Sequence, residues 1–424
     1  MEDTELGLLK GLLGDAPWVA TLTDILAVVA VGSFALLIVI FLIWMERKVI
    51  ARMQDRIGPN RVGPAGLGQS FADIAKLLTK EQITPDGADK LAYNAAPVII
   101  VVTAMIMWAV VPFGPRLIGA DLNIGLFFIL AISSVSVVSV LLAGWGSNNK
   151  YALLGAFRSV AQLVSYEVPM VMALLVPIIL ARSMSTVGII HAQVVPFIFA
   201  APLSALIFFI SSLAEVGRTP FDLLEAESEI TAGFHVEYSG MKFAMFQLAE
   251  FAGAFFMAGL LAIVYFGGWN IPVINLIIST LGGTPLDLMS MRGGLLIGVI
   301  VFMFKMFSLY FLFIWVRATW PRVRVDQILD FNWKFLVPLS LVLLLVTAVL
   351  ERVLVNAGLT AGWRAVGHLA GNVLIAFAAL EIMRRRGRAK RLVSEPEVAA
   401  DTHAPHDSHG HDDGHAHDVA VAAH

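Results

Sequence analysis

The chain has 424 residues, 58% hydrophobic and 14% charged, with a mean hydropathy of +0.81 and a formal net charge of −3. Soluble domains carry about 25% charged residues, so this composition excludes an ordinary soluble enzyme, and it offers no basic excess for nucleic acid. The absence of cysteine excludes disulfides and any Cys-ligated iron–sulfur cluster within the chain.

The first residues, MEDTELG, are acidic and lack the positive n-region of a cleaved signal peptide. Residues 1–20 therefore read as an extracytoplasmic segment and 21–45 as a retained first span. Apolar runs long enough to cross a bilayer follow at 95–112, 125–144, 159–181, 194–213, 243–266, 294–315 and 335–354. A ninth, weaker run at 364–383 carries Arg364, His368 and Asn372. Lipid forces backbone polar groups to be satisfied internally. The expected fold is an all-α polytopic membrane protein, a bundle of eight core transmembrane helices over 21–355 plus a ninth at 364–384, with structured loops. No inverted repeat with paired broken spans is visible, which counts against a free-standing antiporter.

The loops 46–92, 146–158, 214–242 and 316–334, with the segment after the ninth run, hold 22 of the 29 Lys and Arg residues. The opposite side holds 6, and Lys305 lies inside a span. The basic side is expected to be cytoplasmic, with the N-terminus outside and the C-terminal tail inside. In loop 46–92, QSFADIAKLLTK puts Phe71, Ile74, Ala75 and Leu78 on one helical face. That pattern suits an interfacial helix lying on headgroups, or one wall of an opening for a lipid-soluble molecule.

Three spans carry ionisable groups at depth: Glu167, two residues before Pro169, then Glu250 and Lys305. On insertion scales each costs about 2.5–3.5 kcal/mol at mid-bilayer, so they point to ion pairing or to a lateral polar path. Between residues 215 and 250 stand seven carboxylates, Glu215, Asp222, Glu225, Glu227, Glu229, Glu237 and Glu250, against only Arg218 and Lys242. Crowded carboxylates in a low dielectric share protons, which makes this the first place to seek proton chemistry. Thr219-Pro220-Phe221-Asp222 reads as a helix start, with Thr219 at the N-cap and Pro220 at N1. His235 lies near enough in sequence to join proton transfer, whereas His191 and His368 suggest no role. Seven of the ten histidines fall in 403–424, a His/Asp-rich composition that buries no core and reads as a disordered tail after the basic run RRRGRAKR.

Four stretches carry a family resemblance: ERKVIARMQDRIGPNRVGP (46–64), GWGSNNKYALLGAFRSVAQLVSYEVP (144–169), RTPFDLLEAESEITAGFHVEYSGMKFA (218–244) and WVRATWPRVRVDQILDFNWKFLVPL (315–339). They occupy the four basic-side loops in order. Together they resemble the H-subunit family of proton-pumping NADH–quinone oxidoreductase, respiratory complex I, over roughly residues 15–355.

The resemblance implies a membrane heel that is not catalytic alone and binds no redox cofactor by itself. It implies a chamber, formed with the quinone-site subunits of the redox arm, that takes ubiquinone or menaquinone from the membrane. NADH, FMN and iron–sulfur clusters would belong to partner subunits, and antiporter-like and small membrane subunits would adjoin it in a bacterial inner membrane. By the same resemblance Glu46, Arg47, Arg52, Arg218 and Arg317 match chamber-lining positions. Asp222, Glu225, Glu227 and Glu229 match the acidic loop beside that chamber. Glu167, Glu215, Glu237 and Glu250 match the start of a buried carboxylate path, and Lys305 is assigned to it as a counter-ion. The chain departs from the family pattern at Val216-Gly217, where a polar pair is usual, and at Phe251, where a hydroxylated aromatic is usual. It also adds the ninth run and the tail. The related membrane subunit of an energy-converting nickel–iron hydrogenase or formate hydrogenlyase is the main alternative.

Overall fold

The computed structural model describes residues 17–115, 117–222, 233–272 and 293–401. The acidic-loop residues Glu225, Glu227 and Glu229, and the tail beyond residue 401, lie outside the described residues. The described chain is helical, and seven of its helices are long and apolar enough to cross a membrane. The first predicted span falls within α1, Pro17–Met53, a single helix of 37 residues. At 1.5 Å per residue it is about 55 Å long, well beyond the roughly 30 Å of a hydrocarbon core. Its last two turns thus carry Glu46, Arg47 and Arg52 beyond the apolar run.

Helix α2, Gln69–Thr79, forms where the amphipathic pattern predicts it. Its polar side turns inward, with Ser70 buried and Asp73 bonded to Arg47 of α1, while Phe71 and Leu78 are each 62% exposed. Helix α3, Lys90–Ile106, is started by the Asp89 carboxylate, which accepts from Leu91 N–H at 3.0 Å. Helices α4, Gly125–Gly146, and α5, Lys150–Ala181, follow, and the Asn149 side chain caps α5 through Tyr151 N–H.

The fifth predicted span, 194–213, is not one helix. A short α6, Thr186–Ala192, precedes it, and the span itself is divided into α7, Phe197–Ala200, and α8, Pro202–Glu215. Pro196 and Pro202 lack the N–H a continuous helix needs at those positions. Gln193 secures the break: its Nε2 donates to Ile263 O at 2.8 Å and Val264 O at 3.1 Å, and its Oε1 accepts from Phe197 N–H. Irregular backbone at membrane depth is tolerated only when protein groups satisfy it in this way. At 14 residues, about 21 Å, α8 alone is shorter than a bilayer core.

Helix α9, Gly240–Phe266, is the central one: 78% of its apolar window is buried, against 22% in α10, Gly294–Thr319. Ala252, Ala254, Ala258 and Gly259 are buried in it, and a Cβ at Gly259 would meet Met306 Sδ of α10 at 2.7 Å. Helix α11, Val325–Phe331, passes through a π-helical turn at 332–336 into α12, Val337–Asn356. Asn332 pins that turn to α5 by donating to Ser165 O at 2.6 Å, and Tyr166 OH donates to Ile328 O at 3.0 Å. Helix α13 runs Ala361–Asp401 and contains the ninth apolar run, at 362–385. Contacts divide the chain into two units, 1–374 and 375–424. Within the second, Glu381 pairs with Arg385 at 2.9 Å one turn on.

Candidate functional site

Segments distant in sequence meet around Glu46, which is only 5% exposed. Gly217, with φ of +69°, ends α8: Arg218 N–H bonds Leu213 O and Gly217 N–H bonds Ala214 O. This is a Schellman ending, whose left-handed residue favours glycine. It turns the chain back into the bundle and delivers Arg218 to a buried position.

Arg218 Nη1 donates to Glu46 Oε1 at 2.9 Å, its Nε stands 3.0 Å from Glu250 Oε1, and its guanidinium lies 4.4 Å over the Phe251 ring. The hydroxyl-free aromatic at 251 thus serves as a cation–π floor. Tyr310, on α10, donates its OH to Glu46 Oε2 at 3.0 Å. Arg317, seven residues later on the same helical face, pairs with Glu46 Oε1 and is 24% exposed. Two carboxylates and two guanidiniums form a neutral group with several satisfied oxygens. A buried ion cluster survives desolvation only when so satisfied, and deleting one partner costs about 3–5 kcal/mol.

A cavity of about 110 Å³ adjoins this cluster, with Glu250 and Glu215 in its wall. His235, Gln247, Ser133 and Ser136 supply further polar groups, and Ile100, Met107 and Met257 supply apolar surface. Its lining, apolar with a few convergent polar groups, has the character of a ligand site. One Glu215 oxygen is buried with no hydrogen-bond partner among the described residues. Gly155 lies against the Gly233 backbone, where an added Cβ would meet Gly233 C at 2.7 Å. This close approach seats the 233–235 turn that brings His235 to the cavity.

The remaining predicted residues distribute as follows. Glu167 accepts from Ser134 Oγ at 2.6 Å, a bond between α5 and α4. Glu237 lies outside the cavity wall: its Oε1 accepts from Asn149 Nδ2 at 2.6 Å and its carbonyl from Tyr93 OH at 2.8 Å. Tyr238 beside it donates to Tyr93 O at 3.1 Å, and burial, with Tyr93 near, raises its phenol so that it keeps this proton. Arg47 pairs with Asp73 rather than with the Glu46 cluster, because one residue's offset turns it to another helix face. Arg52 is exposed on the last turn of α1. Lys305 does not meet the carboxylates: its Nζ donates to Phe266 O at 2.7 Å, Gly268 O at 2.8 Å and Asn270 O at 2.6 Å. It caps the negative end of α9, a role that satisfies its charge with carbonyls.

Thr219–Asp222 is a tight turn rather than a helix start. The Thr219–Pro220 bond is cis, and Phe221 N–H bonds Arg218 O at 2.9 Å. The carbonyls that a helix would claim are taken elsewhere: Phe221 O accepts from Gln162 Nε2 at 2.8 Å and Pro220 O from Val323 N–H at 3.2 Å. Asp222 closes the described part of this loop.

Sequence reasoning missed Tyr310, although its spacing of seven from Arg317 was visible. It also missed Glu351, which accepts from Arg364 and His368 at the other end of the helices.

Residues 25–348 match the family described as NADH dehydrogenase. The chain is 46% identical over 316 residues to the NADH-quinone oxidoreductase H subunit of Dehalococcoides mccartyi (strain CBDB1), covering 74% of this chain and 83% of the relative. It is 46% identical over 350 residues to the protein of that name from Brevibacillus brevis, covering 81% and 97%. With the Geobacillus kaustophilus protein of that name it shares 49% over 308 residues, 72% and 87% of the two chains.

Proposed function

The chain belongs to the NADH dehydrogenase family, as the multi-pass membrane subunit of NADH–quinone oxidoreductase, and on that premise we propose that its Glu46–Arg218–Arg317 cluster borders the quinone chamber. It acts within the complex with the other subunits and is not catalytic alone. The hydrogenase and antiporter alternatives are not favoured. The observation that carries the reading is the convergence on one buried carboxylate, Glu46, of Arg218, Arg317 and Tyr310 from separate segments, beside a cavity that holds Glu215 and Glu250.

In this reading loops 46–92, 214–242 and 316–334 enclose the chamber with the quinone-site subunits of the redox arm. The exposed apolar face of α2 forms one wall of its membrane opening. NADH, FMN and iron–sulfur clusters work in partner subunits, and ubiquinone or menaquinone is the substrate. Reducing a quinone adds two electrons and two protons. Charge developing on the headgroup draws Arg317, the most exposed member of the cluster, away from Glu46. The pairing of Arg218 then redistributes between Glu46 and Glu250, and Glu250 with Glu215 passes the change into the cavity as altered proton occupancy. Glu167 and Glu237 continue the path. The acidic loop, Asp222 with Glu225, Glu227 and Glu229, relays between chamber and cavity. The basic loops face the cytoplasm of a bacterial inner membrane, with the N-terminus outside and the tail inside.

Photolabelling the assembled complex with a quinone carrying a photoreactive headgroup tests the reading. Adducts are expected in the peptides holding Glu46, Arg218 or Arg317, competed by excess quinone. Competable labelling confined to other parts of the chain would refute it.

A further inference from the structure

The opposite end of the helices holds a second buried charge group that the quinone reading does not use. Glu351, near the end of α12, accepts from His368 Nε2 at 2.9 Å, from Arg364 Nη1 at 3.1 Å and, more loosely, from Arg182 Nη2 at 3.5 Å. These bonds tie the start of α13 and the residue after α5 to α12. A carboxylate only accepts, so the His368 tautomer that bonds Glu351 carries its proton on Nε2 and leaves Nδ1 as a lone pair. That Nδ1 is buried without a partner, in a side chain 2% exposed, and Arg364 Nε–H is buried without an acceptor. Arg364 and His368 both line a small cavity, about 60 Å³ and open on one side, whose other walls include Leu180, Val194 and Phe197. A buried donor and a buried acceptor left unmade in one cavity are costly, and together they define what fills it: a molecule that accepts at one point and donates at another.

Charge narrows the class. The side of the bundle to which these residues belong carries few cations, yet Arg182 and Arg364 lie in this cluster and exposed Arg352 follows Glu351 in the chain. Among the described residues Glu351 is the only carboxylate paired with them, so positive charge is in excess. The walls are apolar, and Val194, at 58% exposure, opens them toward the surroundings. A soluble anion has no use for such walls, whereas a lipid does, and anionic headgroups seek basic pockets between helices.

We propose that this cavity binds the headgroup of an acidic phospholipid that also bears hydroxyls, the chemistry of phosphatidylglycerol. Phosphodiester oxygens accept from Arg364 Nε–H, with Arg182 at the rim. A headgroup hydroxyl donates to His368 Nδ1. An acyl chain lies along Leu180, Val194 and Phe197. The proposal depends on the chain's place in a membrane and not on where quinone binds.

The test uses the intact complex, delipidated in mild detergent and titrated with phosphatidylglycerol or phosphatidylcholine of matched chains, with bound lipid read by native mass spectrometry. One tightly held phosphatidylglycerol is expected, in preference to phosphatidylcholine. Arg364→Lys keeps the charge but removes the Nε–H, and Arg182→Gln removes the loosest and most exposed partner of Glu351. Each should weaken retention about tenfold with the complex assembled. Equal retention of the two lipids, no retained lipid, or unchanged binding in both variants would overturn the proposal. Displacement by millimolar inorganic phosphate would overturn it too, by marking the site as one for a soluble anion.

Discussion

Replacing Arg218 with lysine preserves the charge, yet it should disable the cluster. The guanidinium does three things at once: it bonds Glu46 at 2.9 Å, approaches Glu250 at 3.0 Å, and stacks on Phe251 at 4.4 Å. An ammonium is a point donor on a flexible stem and keeps the Coulomb term without the fork or the plane. Losing one charge-assisted hydrogen bond costs about 1.5–3 kcal/mol, and losing the desolvated cation–π contact about 2 kcal/mol more. If about 2 kcal/mol of this appears in the step coupled to quinone, turnover falls about thirtyfold. NADH oxidation by membranes is measured with a quinone and, as a control, with an artificial acceptor that bypasses the quinone site, and assembly is checked on a native gel. The quinone-linked rate alone should drop. A variant that assembles and keeps its quinone-linked rate within about twofold of the parent would show that the charge suffices and the fork does not matter.

Other perturbations separate the parts of the structure. Tyr310→Phe removes one donor from Glu46 and should lower quinone-linked turnover about tenfold in assembled complex, by roughly the cost of one bond to a charged group; an unchanged rate would show the hydroxyl to be idle. Glu229→Gln should depress the same activity if the acidic loop relays protons, and full activity in the assembled variant would remove it from that role. Lys305→Met strips three carbonyls of their donor and should lower the melting temperature of the complex while turnover per intact complex holds. The reverse pattern, intact melting with lost turnover, would return Lys305 to the proton path. Deleting 395–424 should leave NADH–quinone activity largely unchanged, and its complete loss would assign the tail a working part.

Much of the architecture was legible because apolar run length is a strong signal in lipid. The exception was instructive. Pro196 and Pro202 stood in plain sight within the fifth run, but hydropathy averages over them and does not register two missing N–H groups. The residues of the site were visible too, Glu250 because a carboxylate inside a span is costly, and Glu46, Arg218 and Arg317 because they match chamber positions in the family resemblance. Their partners were not, because pairing depends on which face each helix turns inward. Glu46 and Arg47 are adjacent in sequence yet serve different neighbours, and Gly217 looked like a departure from a pattern when its backbone angle is what aims Arg218. Thr219–Asp222 forms a turn in place of the expected helix start for a tertiary reason: Gln162 and Val323 take the carbonyls of Phe221 and Pro220. The Glu351 group left a fainter trace, polar residues every fourth position at 364, 368 and 372, whose common face only a partner could explain.

The ammonium of Lys305 works as a rivet. It joins one end of α9 to α10, and farther along the same two rods stand Glu250 on one and Tyr310 and Arg317 on the other. Neither rod slides past its mate without shearing three bonds, so a push delivered at Arg317 is carried by both as a single lever. Whatever gives way must be the arms around them, α1 with Glu46 and the turn with Arg218, and a spectroscopic ruler across α9 and α10 should read a constant length through the catalytic cycle while one from α1 to α9 does not.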